Sequence, residues 1–305
     1  MATTALVDDY ILTLDGKAPG TITGYSRALQ AFTGWLAERP GSSGDFEPSQ
    51  FTRTAVQTYL TELEAEGYSP SYRILVKSAL SGFARWLIED QELLRRNPTR
   101  GLQIEAQPLL APRVLDEDQR YVLKTLVERD GSARSATLFA LGYYAGCRVS
   151  DASWLLMTNI HLNDRSGWIR VGYKGNKSRE IDLAKPARQA LKAYLESDER
   201  KDGSEYAFTS QRGPRLTEAG IHHWFRQLKA EAKKDEWALI EPLSYHDLRH
   251  DFAHRTRALG WSLEEIAYYL GHITKRGTPA VQTTVRYTQA SREQIKRKLK
   301  AMTSL

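Results

Sequence analysis

The stretch Ser244-Tyr-His-Asp-Leu-Arg-His250 predicts the start of a helix with polar groups on it. Ser244 and Asp247 have the spacing of a helix cap, so His246 falls in the first turn. Arg249 follows His246 by three residues, a spacing that brings two helical side chains to the same face. A guanidinium beside an imidazole can hold an anionic oxygen while the imidazole moves a proton. The alternative for this stretch alone is a solvated helix face.

The same stretch also resembles the His-Glu-x-x-His pattern of zinc hydrolases. His246 and His250 are four residues apart, a spacing at which two imidazoles can hold zinc, and His254 continues the series. Two features argue against zinc, because Arg249 would lie beside the metal cation and Asp247 is shorter than the glutamate of that pattern. We therefore predict no metal site, with a zinc hydrolase as the alternative.

A second segment, Ala145-Gly-Cys-Arg148-Val-Ser-Asp151, predicts a junction between two helices. An apolar helix ends at Gly146, and a new helix begins near Asp151. Arg148 lies at the junction, and the carboxylate three residues later can fix its guanidinium. The alternative is a surface arginine beside a helix cap.

Two further segments lie on either side of the 244–250 stretch. Residues 168–171 and 179–183 predict two short strands, and Lys174-Gly-Asn-Lys177 supplies the turn between them. A lysine-bearing turn of this kind is also common as a plain solvated turn. Downstream, Gly271-His272 ends a helix, and the polar segment 283–288 contains Tyr287.

The chain as a whole predicts a mainly α (α+β) protein with two domains. Residues 1–97 have the periodicity of helices, and residues 98–112 read as a linker because prolines punctuate a stretch with little periodicity. Residues 113–305 predict a larger, mostly helical domain with a small antiparallel β-sheet. We expect a helical N-terminal domain joined by this linker to the larger C-terminal domain.

Composition limits the protein class. The 43 Lys and Arg residues exceed the 37 Asp and Glu residues, a balance that favours an acidic partner such as nucleic acid. No apolar run is long enough for a membrane span, no secretory signal is recognisable, and one cysteine suits a reducing compartment. A cytoplasmic, nucleoid-associated protein is expected. Neither a phosphate-binding glycine loop nor a Mg²⁺-binding acidic cluster is recognisable, so no cofactor is expected.

In chain order, these segments resemble the tyrosine recombinase (phage integrase) family over essentially the whole chain. The two-domain organisation, with Asn97-Pro98 closing the first domain, is similar to Xer-type members. By this resemblance residues 1–97 are a DNA core-binding domain and residues 113–305 are the catalytic domain. By this resemblance the catalytic residues are Arg148, Lys174, His246, Arg249, His272 and Tyr287. One departure is the separation of His272 from Tyr287, which is longer than usual, with Ile273–Ala280 as the extra segment. That departure bears on how the tyrosine is delivered to the site.

The resemblance implies site-specific DNA recombination in a DNA-bound tetramer, through a 3′-phosphotyrosyl intermediate on Tyr287. Lys174 would be the general acid, His246 would accept the tyrosine proton, and His272 would donate a hydrogen bond to the phosphate. Asp151 and His250 would support these groups. Candidate contacts with double-stranded DNA are Arg27, Arg73, Lys77, Arg85, Lys177 and Arg179. The segment Arg292–Met302 would exchange between protomers.

Two alternatives share this pattern. A type IB topoisomerase has the same active-site logic and would relax supercoils without sequence preference, whereas a recombinase would pair defined sites. A non-catalytic DNA-binding regulator could use the same fold, although the full set of catalytic residue types argues against it.

Overall fold

The computed structural model describes residues 2–17, 19–105, 114–172, 178–211, 213–272 and 278–285. The chain divides into two compact units, Met1–Leu109 and Leu110–Leu305. The division falls inside the predicted linker. Leu102 and Thr99 are buried in the first unit, so the start of that linker belongs to the N-terminal unit.

The described part of the N-terminal unit is helical, with α1 (Ala2–Leu12), α2 (Pro19–Ala37), α3 (Arg53–Ala65) and α4 (Pro70–Glu89). The apolar stripe of α2 packs inward, with Leu29 and Phe32 fully buried. Ser69 caps α4, because its side chain accepts a hydrogen bond from the Tyr72 N–H at 3.2 Å. Helix α1 also joins this core, through Val7, Tyr10 and the following Leu14.

The described part of the C-terminal unit contains nine α-helices around a small sheet. They are α5 (Glu117–Asp130), α6 (Ala133–Ala145), α7 (Val149–Ser153), α8 (Lys185–Leu195), α9 (Glu218–Ala230), α10 (Lys234–Ile240), α11 (Tyr245–Ala258), α12 (Leu263–Leu270) and α13 (Val281–Val285). The strands are β1 (Ile160–Leu162), β2 (Gly167–Val171) and β3 (Arg179–Asp182). The fold-class prediction is confirmed.

The sheet is antiparallel, in the order β1-β2-β3. Val171 pairs with Arg179 at the end of β2–β3 where the chain reverses, in the hairpin that the sequence predicts. The third strand, β1, was not predicted.

Helix α6 forms the centre of the larger core. Nine of its residues are buried, and it packs against α8 on one side and α11 on the other. Gly142 permits the close approach of α11, because a Cβ atom there would lie 2.9 Å from Leu248 Cδ1. The Tyr245 hydroxyl donates to the Leu138 carbonyl at 2.8 Å, which fixes the start of α11 against α6.

No helix among the described residues is long and apolar enough to cross a membrane.

Candidate active site

The loop that presents Arg148 is shaped by Gly146. Helix α6 ends there with a positive φ of 59°, a conformation that favours glycine. A Cβ atom at this position would lie 2.7 Å from the Phe252 ring and 2.8 Å from Leu270 Cδ2. The loop therefore packs directly against α11 and α12. Arg148 follows as the N-cap residue immediately before α7, and it is half-buried.

Asp151, in the first turn of α7, stabilises this loop through hydrogen bonds. Its Oδ2 atom accepts the backbone N–H of Arg148 at 2.9 Å and the Arg179 Nη2 at 2.6 Å. Burial is the largest influence and would raise the pKa of Asp151, but the charge and hydrogen bond of Arg179, together with the N–H and charge of Arg148, lower it overall. The carboxylate is therefore ionised at neutral pH, and it fixes the Arg148 segment through the backbone.

Arg249 is fully buried and connects three parts of the chain. Its Nη1 donates to the Gly146 carbonyl at 2.6 Å, and its Nη2 donates to the Leu270 carbonyl at 2.7 Å. The same Nη2 lies 3.0 Å from His272 Nε2. One side chain thus joins the Arg148 loop, the end of α12 and His272.

These contacts define the protonation of His272. Arg249 can only donate, so Nε2 must accept, and the neutral ring then carries its proton on Nδ1. Nδ1 lies 3.0 Å from the Thr284 hydroxyl oxygen, which accepts a hydrogen bond from the Nδ1–H group. Burial, reinforced by the neighbouring Arg249 guanidinium, lowers the pKa of His272 to about 3. The result is a buried chain of hydrogen bonds from Arg249 through His272 to α13.

This buried neutral histidine predicts a pH dependence of stability. Between pH 6.5 and pH 3 an unfolded His272 binds a proton that the folded ring rejects, so stability is lost as the pH falls. Wild type is expected to lose about 2 kcal/mol more unfolding free energy than His272→Gln between pH 7.5 and pH 5. Urea unfolding at the two pH values measures the difference. An identical loss in both proteins would show that His272 is not the group responsible.

His246 and His250 lie near Arg249 on α11. The sequence predicts that His246 and Arg249 share one face of the helix. They differ in burial, however, because His246 is exposed whereas Arg249 is fully buried. The two imidazoles meet edge to face, with ring centroids 4.5 Å apart. Partial desolvation and the Arg249 guanidinium lower the pKa of His246, which keeps the ring neutral and able to accept a proton. Burial lowers the pKa of His250 to about 4.

The phage integrase family model matches residues 113–294 of this chain. The chain belongs to that family. It is 32% identical over 257 residues to the tyrosine recombinase XerC of Pseudomonas aeruginosa, covering 83% of this chain and 80% of the relative. It is 26% identical over 298 residues to XerC of Neisseria gonorrhoeae, covering 96% and 93%. The protein is a tyrosine-type site-specific recombinase.

Solved structures of integrases share this fold. The Tn1549 transposon integrase, in complex with a circular intermediate DNA, aligns with a TM-score of 0.72 at 16% identity and covers 98% of this chain and 99% of its own. A lambda integrase tetramer bound to a Holliday junction aligns with a TM-score of 0.66 at 17% identity, covering 92% and 76%.

In this integrase-family chain, the described residues bring together four of the six predicted catalytic side chains. They are Arg148, His246, Arg249 and His272, all in the C-terminal unit. Lys174 and Tyr287, together with Lys177 and residues 273–277, lie outside the described residues. Among the residues described, no group of three or more His, Cys, Asp or Glu side chains could hold a metal ion.

The predicted DNA contacts occupy different environments. Arg27 and Arg85 are exposed on α2 and α4. Arg85 and Lys77 line a cavity of about 730 Å³ in the N-terminal unit. Lys77 donates to the Leu102 carbonyl. Arg73 is buried and bridges to Glu64 at 2.8 Å, a position that limits its access to a phosphate.

Arg179 also differs from the expectation of a DNA contact. Its side chain is 13% exposed, and its nitrogens bind Asp151 Oδ2 and the Tyr269 carbonyl. The sequence did not predict Thr284 as a partner of His272, although Thr284 lies in the polar segment 283–288. The only local signal for Thr284 was its place in a polar segment just before Tyr287. That signal does not identify His272, twelve residues earlier, as its partner.

Proposed function

We propose that this chain is a site-specific DNA recombinase that cleaves and rejoins strands through a 3′-phosphotyrosyl intermediate on Tyr287, within a DNA-bound tetramer. The observation that supports it most is the buried chain from Arg249 through His272 to Thr284. It links the arginine-bearing elements to the segment that leads to Tyr287, three residues further along the sequence.

The two arginines stabilise the transition state. A phosphodiester resists attack because its charge repels nucleophiles, and forked guanidinium donors on the nonbridging oxygens lower that barrier. Arg148 is half-buried at a loop and can reach a phosphate there. Arg249 is fully buried and already donates to two carbonyls. A phosphate can therefore reach its guanidinium only if the residues that cover it rearrange.

Proton transfer completes the step. His246 accepts the Tyr287 proton, and its lowered pKa keeps the ring in the accepting form. The tyrosine oxygen bonds to phosphorus, the bond to the 5′-oxygen breaks, and Lys174 protonates that oxygen as it leaves. The phosphotyrosyl bond conserves the energy of the phosphodiester, so religation needs no nucleotide. His272 can donate to the phosphate only with a proton on Nε2, which requires a change of the tautomer described above.

Assembly and target are proposed by analogy with relatives. One similar structure is XerH bound to its difH substrate in a pre-cleavage complex, and another is the lambda integrase tetramer on a Holliday junction. We propose double-stranded DNA with a specific site as the partner of this chain, and a tetramer in which residues 292–302 exchange between protomers. A truncation at Ser291 that still formed tetramers on DNA would remove the exchange from this scheme.

Covalent trapping tests the proposed function. Wild-type protein is incubated with fragmented DNA from its source, denatured, and the protein-linked DNA is recovered. Mass spectrometry is expected to find the nucleotide adduct on Tyr287, and sequencing of the attached DNA is expected to give one defined site. An adduct on Tyr268 or Tyr269 would contradict the assigned nucleophile. Adducts spread over unrelated sequences would favour a topoisomerase, and no adduct would favour a DNA-binding regulator.

A further inference from the structure

Arg179 lies at the end of the β2–β3 hairpin where the chain reverses. Its backbone pairs with Val171, and the residues between these two positions include Lys174. Lys174 is three residues from Val171, so the covalent chain limits it to about 11 Å from that strand end. The position of the strand end therefore restricts where the lysine can act.

The Arg179 side chain leaves the hairpin and binds two other elements. Its Nη2 donates to Asp151 Oδ2 at 2.6 Å, and its Nε donates to the Tyr269 carbonyl in α12 at 3.1 Å. Both partners of this ion pair are largely buried, with side chains 13% and 5% exposed. Because a buried ion pair is costly to break by removing one partner, the hairpin end is held firmly at this point.

The same carboxylate oxygen serves the Arg148 loop. Asp151 Oδ2 also accepts the Arg148 backbone N–H at 2.9 Å, so one atom joins Arg179 to the residue that binds phosphate in the proposed mechanism. Because the guanidinium and the N–H share one acceptor, a displacement of the Asp151 carboxylate would disturb both hydrogen bonds. The hairpin end is thereby tied to the backbone of the loop.

Gly271 gives Arg179 the space for this contact. A Cβ atom at Gly271 would lie 2.7 Å from Arg179 Cδ and 3.1 Å from its Nε. The glycine also has a positive φ of 67° at the end of α12. The residue that precedes His272 is thus restricted both by its backbone conformation and by the passing arginine.

We propose that Arg179 is a positioning residue, which fixes the hairpin carrying Lys174 against the Arg148 loop and the end of α12. The inference rests on the proposed function, since it concerns the delivery of the general acid. The neighbouring Arg170 provides a contrast on β2. It bridges to Glu180 within the hairpin, in an exposed pair that connects the hairpin to no other element.

The test compares leaving groups in single-turnover cleavage by the full-length chain. The probe is a nicked synthetic duplex of the trapped site with either oxygen or sulfur at the 5′-bridging position. A thiolate leaves without being protonated, so the sulfur substrate does not need the general acid. Arg179→Met is expected to slow cleavage of the oxygen substrate by about 10²-fold, the cost of a small misplacement. Most of that loss should disappear with the sulfur substrate, as it should for Lys174→Ala.

Two further variants separate positioning from folding. Arg170→Met removes an arginine from the same hairpin and is expected to cleave both substrates at the wild-type rate. Arg179→Met with Asp151→Asn removes both buried charges, and the asparagine oxygen can still accept the Arg148 N–H. This double variant should remain folded and should show the same preference for the sulfur substrate.

DNA affinity distinguishes this role from a phosphate contact. A positioning role predicts an unchanged Kd and an unchanged dependence of Kd on salt for Arg179→Met, whereas loss of a phosphate contact would reduce the salt slope by about 1. Wild-type cleavage rates in Arg179→Met, equal losses on both substrates, or a reduced salt slope would each overturn the inference. A wild-type protein that forms no adduct would instead overturn the proposed function, and this inference with it.

Discussion

Tyr287→Phe is expected to abolish the covalent DNA adduct and to leave DNA affinity unchanged. The substitution removes only the phenolic hydroxyl, and in the proposed mechanism its oxygen is the atom that bonds to phosphorus. Arg148 and Arg249 remain to hold the phosphate, so binding should not depend on the hydroxyl. Denaturing gels measure the adduct, and mobility shift with the same duplex measures binding.

Tyr268 and Tyr269 provide matched controls for that variant. Tyr268 is 75% exposed on α12, so Tyr268→Phe should change neither the adduct nor stability. The Tyr269 hydroxyl donates to the Asp182 carbonyl at 2.8 Å, so Tyr269→Phe should lose about 1 kcal/mol of stability and keep the adduct. An adduct that survives in Tyr287→Phe and disappears in either control would transfer the nucleophile to that tyrosine.

Features with local causes were predictable from the sequence. The Asp116–Gln119 capping box is formed by side chains three residues apart, and both of its hydrogen bonds are present at the start of α5. The cap of α11 follows the same logic, because the Asp247 carboxylate accepts the backbone N–H and hydroxyl of Ser244 at 2.7 Å each. The β2–β3 pairing was predictable from two short apolar alternations around turn residues.

Features that depend on distant segments were not predictable. Arg249 binds the Gly146 carbonyl, 103 residues earlier, and nothing in either local sequence identifies the other as its partner. The sequence analysis named Arg179 as a candidate DNA contact, yet its side chain binds Asp151, 28 residues away. Strand β1 has only three residues, too few to establish an alternating pattern.

The position of Arg249 predicts that one substitution will affect both catalysis and folding. Arg249→Met is expected to slow strand cleavage by about 10²–10³-fold, because a charged donor to the phosphate is lost at the transition state. It also leaves the buried carbonyls of Gly146 and Leu270 without this donor, which should cost about 3 kcal/mol of stability or more. Urea unfolding gives the stability, and single-turnover cleavage below the unfolding midpoint gives the rate.

Arg257→Met is the matched control on the same helix. Arg257 Nη1 donates to the Trp261 carbonyl at 2.7 Å, near the end of α11 that is distant in sequence from His246. Its loss should cost about 1 kcal/mol and leave the cleavage rate unchanged. Cleavage by folded Arg249→Met at the wild-type rate would contradict the catalytic assignment.

His272 provides an independent readout of the same substitution. The Arg249 guanidinium adds to burial in lowering the pKa of His272 to about 3, and it requires Nε2 to be the acceptor. In Arg249→Met that charge and that donor are both absent, so the His272 pKa should rise and its tautomer should no longer be fixed. Long-range ¹H–¹⁵N NMR of the ring follows both properties. An unchanged titration of His272 would mean that Arg249 does not control it, and the hydrogen-bond chain to Thr284 would then need another origin.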